Sequence, residues 1–402
     1  MHTPQAAVSI VLERTSPRAT NETCLLGDAV GRVLAQSVRS DLDLPPFQKS
    51  AMDGYAVRSA DCTGPKVRLR KLGESRAGGP FEGEVPPGHC VAIYTGAQVP
   101  DDCDAVVMVE KSKEEEGEFV ELEDQPKPGQ NVCQRGEDLA EGQEVLAAGT
   151  RLLPAMVSLL ASVGCTPVPV VPRPRVAILT TGDELIDPGE RPGPGQIREG
   201  NTLHLAALAR AAGAQVVQSG VVRDDVAGLA ATFRKVLEEC DVLVTTGGVS
   251  MGKYDLVGEA LEAVGVQKVF HKVAIKPGKP VWFGTAGEKL VFGLPGNPVS
   301  CWVGHEVFVR PALAKLSGLN ADEWNPALRR GRWAGEPTRT NNREQHLPAS
   351  ITQAADGVDE LALVRWKSSA DLMGLSRARA LAVVPPGEVL QAGDPVLFRP
   401  IV

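Results

Sequence analysis

The stretch DVLVTTGGVSMGKYD, Asp241 to Asp255, contains a short apolar run followed by two glycines, a serine, a lysine and an acid. A short apolar run bounded by a turn signal is typical of a buried strand, and the Gly-Gly pair indicates a tight turn. The turn leaves three interpretations open: a phosphate cradle, a carboxylate site, or an ordinary connection between a strand and a helix. The surrounding sequence helps to choose among these three interpretations.

On both sides of this stretch the hydrophobic pattern alternates between strand and helix periods. Strands are predicted at 176–180, 215–222, 241–245, 266–275 and 289–292. Helices are predicted at 202–212, 226–239, 255–264 and 299–317, and glycines follow three of them as stop signals. This alternation predicts a doubly wound α/β domain with a largely parallel sheet.

The rest of the chain has a different organisation. Helices are predicted at 5–14, 27–37 and 154–163, short strands between about 53 and 145, with an exposed hairpin at 111–124, and short β runs after about 326. Proline-rich residues 164–175 and the segment 320–326 mark boundaries. We therefore predict a discontinuous helical domain (1–45 and 146–172), an inserted β domain (46–145), the α/β domain (173–322) and a C-terminal β-barrel (323–402).

Composition limits the possible functions. The 402 residues exceed what one core supports, and the net charge of −8 argues against a protein that mainly covers nucleic-acid phosphates. No apolar run approaches a membrane span, and the first residues, MHTPQAAVSIVLERTSP, lack a secretory signal pattern, so we expect a cytoplasmic protein. The 8 cysteines form no CxxC pair and lie near no histidine at ligand spacing, which supports neither a zinc nor a redox site.

Polar residues follow every predicted strand of the α/β domain. In an open parallel sheet these positions meet at the carboxyl edge, where ligands bind. Carboxylates that could hold a hard cation lie beside glycines and lysines suited to an oxyanion, which favours Mg²⁺-assisted chemistry on a phosphate-bearing substrate. Each loop alone is more often a turn or a helix cap. The residues are Asp183 and Glu184; Arg223, Asp224 and Asp225; Gly247, Gly248, Ser250, Lys253 and Asp255; Lys276 and Lys279; Gly296, Asn297 and Ser300.

Familiar nucleotide and hydrolase motifs do not explain this arrangement. The sequence contains neither GxxxxGK[ST] nor a GxGxxG between a strand and a helix, which disfavours P-loop proteins and dinucleotide binders. It also lacks a GxSxG nucleophile elbow.

Several longer motifs, in fixed order over nearly the whole chain, resemble the molybdopterin molybdenumtransferase family, which includes bacterial MoeA and the E domain of gephyrin. They are FQKSAMDGYAV (47–57), YTGAQVP (94–100), TTGDEL, GQIREGN (195–201), VVRDD, TTGGVSMGKYD, KPGKP and GLPGNPVSC. The resemblance implies the same four domains and a homodimer in which the α/β domain of one subunit and the MDGYAV region of the other share a cleft.

The resemblance also implies an activity: Mg²⁺-dependent insertion of molybdate into adenylylated molybdopterin, with release of AMP. The implied catalytic residues are Asp53, Thr95, Glu184, Asp224, Asp255, Lys276 and Lys279. Glu184, Asp224 and Asp255 would hold Mg²⁺ or the pterin, and Asp53 and Thr95 would reach the cleft from the partner subunit. The implied substrate-binding residues are Gly247, Gly248, Ser250, Pro280, Gly296, Asn297, Ser300 and Ser368.

One segment departs from the family pattern. Where relatives commonly carry a second arginine, NREQHL (342–347) has Leu347, and Arg343 or Arg365 is a candidate substitute. Two other functions remain open: adenylylation of molybdopterin by ATP, whose enzymes are short single domains of the same α/β fold, and a non-catalytic scaffold. The adenylylating enzyme and other proteins of cofactor biosynthesis are also the expected partners.

Overall fold

The structure, a computed structural model, describes residues 1–18, 20–115, 117–223, 225–248, 256–365 and 367–401. The chain forms two compact units. The first unit contains Met1–Gln36, Gly149–Leu153 and Val168–Val402, and the second unit contains Ser37–Ala148 and Pro154–Pro167. The four domain boundaries drawn from the sequence remain predictions.

The first unit begins with helix α1 (Pro4–Glu13), which confirms the helix predicted at 5–14. Strand β1 (Glu22–Cys24) pairs antiparallel with β12 (Val168–Val170). The helix predicted at 27–37 is wrong. Only a short 3₁₀ turn, Leu26–Asp28, forms there, and Gly31 has a φ of +77°, which ends regular helix geometry.

The second unit is built around a six-stranded sheet in the order β7-β4-β6-β5-β9-β8. All of its pairs are antiparallel except β5 with β6. The pair β8–β9 confirms the predicted hairpin, and helix α2 (Pro154–Ser162) confirms the helix predicted at 154–163. The strands are β4 (Gly54–Val57), β5 (Val67–Ser75), β6 (His89–Ile93), β7 (Ala105–Met108), β8 (Ser112–Glu114) and β9 (Phe119–Leu122).

Two short antiparallel pairs complete the strands of the second unit. They are β2 (Val38–Arg39) with β11 (Glu144–Leu146), and β3 (Lys49–Ser50) with β10 (Val132–Cys133). Two further 3₁₀ turns lie at Ser59–Asp61 and Val109–Lys111. This unit confirms the predicted β insertion.

The first unit contains a six-stranded sheet in the order β16-β13-β17-β21-β20-β18. The pairs among the first four strands are parallel, whereas β20 runs antiparallel to both β21 and β18. The strands are β13 (Arg175–Thr181), β16 (Gln215–Val222), β17 (Val242–Thr246), β18 (Gln267–His271), β20 (Trp282–Ala286) and β21 (Lys289–Leu294).

Helices cover both faces of this sheet. Side chains of β13 alternate between the faces: Val176 and Ile178 pack in one hydrophobic cluster with α1, α3, α6 and α7, and Ala177 and Leu179 pack in another with α4 and α5. The doubly wound prediction is confirmed. The helices are α3 (Asn201–Ala211), α4 (Val226–Glu239), α5 (Leu256–Ala263), α6 (Pro298–Gly304), a π-helical segment (His305–Val309), α7 (Arg310–Leu316) and α8 (Ala321–Trp324).

The strand predicted at 266–275 is correct only in its first half. Strand β18 ends at His271, and the next residue, Lys272, has a φ of +77°, which breaks the extended chain. Ile275–Lys276 then forms β19, which pairs parallel with the C-terminal strand β23 (Glu344–Gln353). Strand β20 was not predicted.

The C-terminal part of the first unit is a closed five-stranded barrel. Its strands pair in the cycle β22-β26-β25-β23-β24-β22, and Trp333 and Phe398 are fully buried in its core. The barrel prediction is confirmed. The remaining elements are β22 (Arg329–Trp333), β24 (Asp359–Leu363), α9 (Leu372–Arg377), β25 (Ala380–Val384) and β26 (Pro395–Pro400).

A flap crosses the carboxyl edge of the α/β sheet. It spans residues 182–200 and is held by a two-stranded parallel pair, β14 (Leu185–Ile186) with β15 (Ile197–Arg198). Arg198 Nε donates a hydrogen bond of 2.8 Å to the Glu190 carbonyl oxygen within the flap. Among the described residues, no helix has both the length and the apolar character needed to span a membrane.

Candidate functional site

A cleft of about 810 Å³ opens at the carboxyl edge of the α/β sheet. Strand β13 is flanked by β16 on one side and β17 on the other, so the sheet order reverses direction beside it. Open α/β sheets bind ligands at such a switch point. This sheet cleft is lined by Thr180, Thr181, Glu184, Leu185, Pro192, Gln196, Ile197, Arg198, Glu199, Gly200, Asn201, Gly247, Gly248, Pro280, Pro295, Gly296, Asn297, Pro298, Ala370 and Leu372.

The turn after β17 requires both of its glycines. Gly247 and Gly248 have φ values of +88° and +62°, which side chains disfavour. A Cβ added at Gly247 would overlap the carbonyl oxygen of Thr181, and one at Gly248 would lie 2.6 Å from Val257 Cγ2. The two glycines therefore let the turn pack closely against the end of β13 and the start of α5.

The buried carboxylate of Glu199 lies at the edge of the flap and lines the sheet cleft. Its Oε1 accepts hydrogen bonds from the Thr202 amide at 2.7 Å and from Thr180 Oγ1 at 3.4 Å. The two threonine hydroxyls are 2.6 Å apart. Sequence reasoning quoted GQIREGN only as a family motif and gave Glu199 no role; an acid directly before the first turn of a helix was the available signal.

Asn201 begins helix α3 and joins two strand ends. Its Nδ2 donates a hydrogen bond of 2.6 Å to the Gly296 carbonyl oxygen and one of 3.4 Å to Thr246 Oγ1. Gly200, at the N-cap, makes no side-chain cap, and the Glu199 carboxylate accepts the Thr202 amide of the first turn instead. Asn201 was also missed, because its contacts are distant in sequence.

The segment that follows the barrel strand β24 forms one wall of the sheet cleft. Asn297 Nδ2 donates to Ser369 Oγ at 2.9 Å, and the Val299 amide donates to the Ser369 carbonyl oxygen at 3.0 Å. Asp371 caps helix α9, and hydrogen bonds from the Gly374 and Lys367 amides hold the pKa of its carboxyl below the usual range. This fixed loop places Ala370 and Leu372 in the cleft wall.

The predicted residues of the carboxyl edge fall into three groups. Those that line the sheet cleft are Glu184, Gly247, Gly248, Pro280, Gly296 and Asn297. Those that lie outside its lining are Lys276, Lys279, Ser300 and Ser368. Asp224, Ser250 and Asp255 lie outside the described residues.

The two lysines of KPGKP occupy different environments. Lys276 is half-buried on β19, opposite Gln345 of the barrel, whereas Lys279 is exposed. In the described part of the chain neither ammonium group has a carboxylate within ion-pairing distance. Ser300 is buried in α6, and its carbonyl oxygen lies against Gly278 of the KPGKP loop. The lysine charges remain unneutralised by these neighbours.

Asp53 and Thr95 lie together in the second unit. Asp53 Oδ1 accepts hydrogen bonds of 2.7 Å from both the amide and the hydroxyl of Thr95. The hydrogen bond from the Thr95 amide, and to a smaller extent the one from the Thr95 hydroxyl, lowers the pKa of the Asp53 carboxyl below its usual range. Asp53 also lines a cleft of about 440 Å³, together with Tyr55, Lys71 and Glu114.

The chemistry of the described donors fits a hard cation in part. Glu184 is exposed in the sheet cleft and forms no ion pair with another described residue. Its carboxylate oxygens are ligands that Mg²⁺ prefers. No group of three or more histidine, cysteine or acidic side chains suited to a metal occurs among the described residues. Asp224 and Asp255, the other two predicted Mg²⁺ ligands, lie outside the described residues.

Leu347 is buried in the barrel, opposite Ala382 of β25, and is 7% exposed. Arg343 instead contacts the KPGKP loop: its Nη1 donates a hydrogen bond of 2.9 Å to the Ile275 carbonyl oxygen, one residue before Lys276. Arg365 is exposed.

This fold and cleft define a class of multidomain proteins organised around a doubly wound α/β domain with a cleft at its switch point. Residues 177–315 match the family described as "Probable molybdopterin binding domain", and residues 2–164 match "MoeA N-terminal region (domain I and II)". A molybdopterin biosynthesis MoeA protein from Pyrococcus horikosii has a similar solved structure, with a TM-score of 0.85, 28% identity and 98% of each chain covered.

Curated relatives extend the similarity over most of the chain. The molybdopterin molybdenumtransferase of Nostoc sp. (strain PCC 7120) is 37% identical over 378 residues, which cover 92% of this chain and 86% of the relative. That of Haemophilus influenzae is 38% identical over 318 residues, covering 79% and 78%. The chain belongs to the molybdopterin molybdenumtransferase family.

Proposed function

We propose that this protein is a molybdenum insertase: it inserts molybdate into adenylylated molybdopterin, cleaves the phosphoanhydride and releases AMP, with Mg²⁺ required. The observation that carries the proposal is the cleft at the switch point of a molybdopterin-binding domain. The cleft combines a glycine turn, a helix N-terminus and carboxylates. We also propose that the protein acts in the cytoplasm.

Anionic reactants determine what the site has to supply. Molybdate and the phosphoanhydride repel each other, so the protein lowers the barrier by offsetting their charge and fixing their relative position. The Gly248 amide, in the glycine turn that lines the sheet cleft, is suited to a phosphate group. Lys276 and Lys279 of the KPGKP loop, free of described ion-pair partners, are suited to molybdate.

Glu184 would hold the cation, together with Asp224 and Asp255. A bound Mg²⁺ supplies positive charge next to the phosphoanhydride oxygens. Asn201, which ties α3 to Gly296, keeps the glycine turn and the neighbouring GLPGNP loop in register around the substrate. Ser250, Pro280, Asn297, Ser300 and Ser368 complete the substrate-binding set carried by the family motifs.

We further propose that the protein works as a homodimer, in which Asp53 and Thr95 of a second copy complete the sheet cleft. The hydrogen bonds from Thr95 keep the Asp53 carboxylate ionised and oriented. The enzyme that adenylylates molybdopterin is the partner that would deliver the substrate.

The test is AMP release from adenylylated molybdopterin. With Mg²⁺ and molybdate the purified protein should release AMP and yield active cofactor, and omission of molybdate should abolish release. Glu184→Gln should lower kcat, and Glu190→Gln, an exposed flap residue outside the cleft lining, serves as the matched control. Release that ignores molybdate refutes insertion, and ATP turnover with free molybdopterin supports the adenylyltransferase alternative.

A further inference from the structure

Glu199 carries a carboxylate oxygen that accepts no hydrogen bond from any described residue. The residue is only 7% exposed, and both of its hydrogen bonds go to Oε1. Within the described ranges Oε2 accepts no hydrogen bond. Glu199 lines the sheet cleft.

A buried carboxylate oxygen is costly unless a donor or a cation reaches it. The neighbouring hydroxyls of Thr180 and Thr202 are already engaged with each other, 2.6 Å apart. A ligand with N–H donors would satisfy Oε2.

The walls next to Glu199 suit a flat heterocycle. Apolar side chains and proline rings make up much of the lining, and this mixture of apolar walls with a few polar groups is typical of small-molecule sites. Ile197 and Leu372 are exposed at 56% and 62% although both line the cleft. The apolar lining residues include Leu185, Ile197, Pro280, Pro295 and Leu372.

We infer that Glu199 recognises the 2-amino and N3–H edge of the pterin ring, and so selects a 2-amino-4-oxopteridine over related bicyclic rings. This inference rests on the proposed function for its substrate class. The two adjacent N–H groups of that edge are donors, and an ionised carboxylate accepts only. Thr180 and the Thr202 amide are positioning groups that fix Oε1 and thereby direct Oε2.

The experiment compares two ligands that differ at this edge. Binding of 6-carboxypterin and of 6-carboxylumazine, which has a 2-oxo group in place of the 2-amino group, is measured by calorimetry with the full-length protein. The wild type should bind the pterin about tenfold or more tightly than the lumazine, because a charge-assisted hydrogen bond is lost in the lumazine. Glu199→Gln should reduce this preference to about threefold or less.

The glutamine variant keeps an oxygen for the Thr202 amide but presents an N–H₂ donor to the cleft, which opposes the pterin donors. Glu190→Gln, on the same flap, should keep the wild-type preference. The ligand pair tests the wild type without any substitution, so a folding defect in Glu199→Gln does not decide the result.

A wild type that does not distinguish the two rings, or binds neither, overturns the recognition by Glu199, as does a Glu199→Gln variant that keeps the preference. These outcomes are separable from the proposed function, because molybdate-dependent AMP release is measured independently. Loss of AMP release with the ring preference intact would refute insertion and leave the pterin site standing.

Discussion

The glycine turn after β17 gives the sharpest quantitative prediction. Gly247→Ala adds a Cβ at a φ of +88°, where it would overlap the Thr181 carbonyl oxygen, a backbone atom that cannot turn aside. The positive φ costs about 1–2 kcal/mol, and overpacking against the neighbouring strand end adds about 1–3 kcal/mol. Reduced entropy of the unfolded chain returns about 0.4–1 kcal/mol. We expect roughly 2–4 kcal/mol of destabilisation.

Gly265→Ala is the matched control, because Gly265 has a similar φ of +84° but no heavy atom near the added Cβ. It should cost about 1 kcal/mol or less, from backbone strain alone. Urea unfolding followed by circular dichroism measures both variants, and their difference isolates the overlap at Thr181. If Gly247→Ala destabilises no more than Gly265→Ala, the close approach of the turn to β13 is wrong.

Three further outcomes follow. Hydrogen bonds from Thr95 depress the folded-state pKa of Asp53. The stability difference between wild type and Asp53→Asn should therefore be constant above the unfolded-state pKa of about 4, and it should shrink as pH falls through the folded-state pKa. A difference that grows on acidification contradicts this reasoning. Leu347→Arg should destabilise by about 3 kcal/mol or more in thermal unfolding, because it buries an unpaired charge in the barrel, whereas Leu347→Met should cost under about 1.5 kcal/mol. Chelation of divalent cations should slow AMP release at least about a hundredfold, with recovery on adding Mg²⁺; unchanged release would exclude the cation requirement.

Local sequence patterns correctly predicted elements that are determined by residues close together in the chain. Helix α4 occupies the predicted residues, Val226–Glu239, because Asp225 caps it and one of its faces is apolar. The prediction at 27–37 failed because apolar spacing alone does not reveal the positive φ of Gly31. The β18 prediction failed for a related reason: Lys272 breaks the strand, and the residues beyond it pair with a barrel strand distant in sequence.

Part of the cleft lining could be predicted from a turn in the sequence. Gly247 and Gly248 follow a strand, and both line the sheet cleft. Glu199 and Asn201 were missed because their roles depend on partners in Thr180, Thr246 and Gly296, which only the fold brings together.

The loop around Ser369 has an evolutionary consequence. It supplies a wall of the sheet cleft, and Val364, Ala378 and Leu381 share the large hydrophobic cluster of the α/β sheet. The barrel is therefore not an exchangeable module: a chain cut before β22 would lose part of its ligand site and uncover apolar surface at once. Recombination that separated the barrel from the α/β domain would lose both cleft wall and buried apolar contacts, so we expect the two segments to be inherited together.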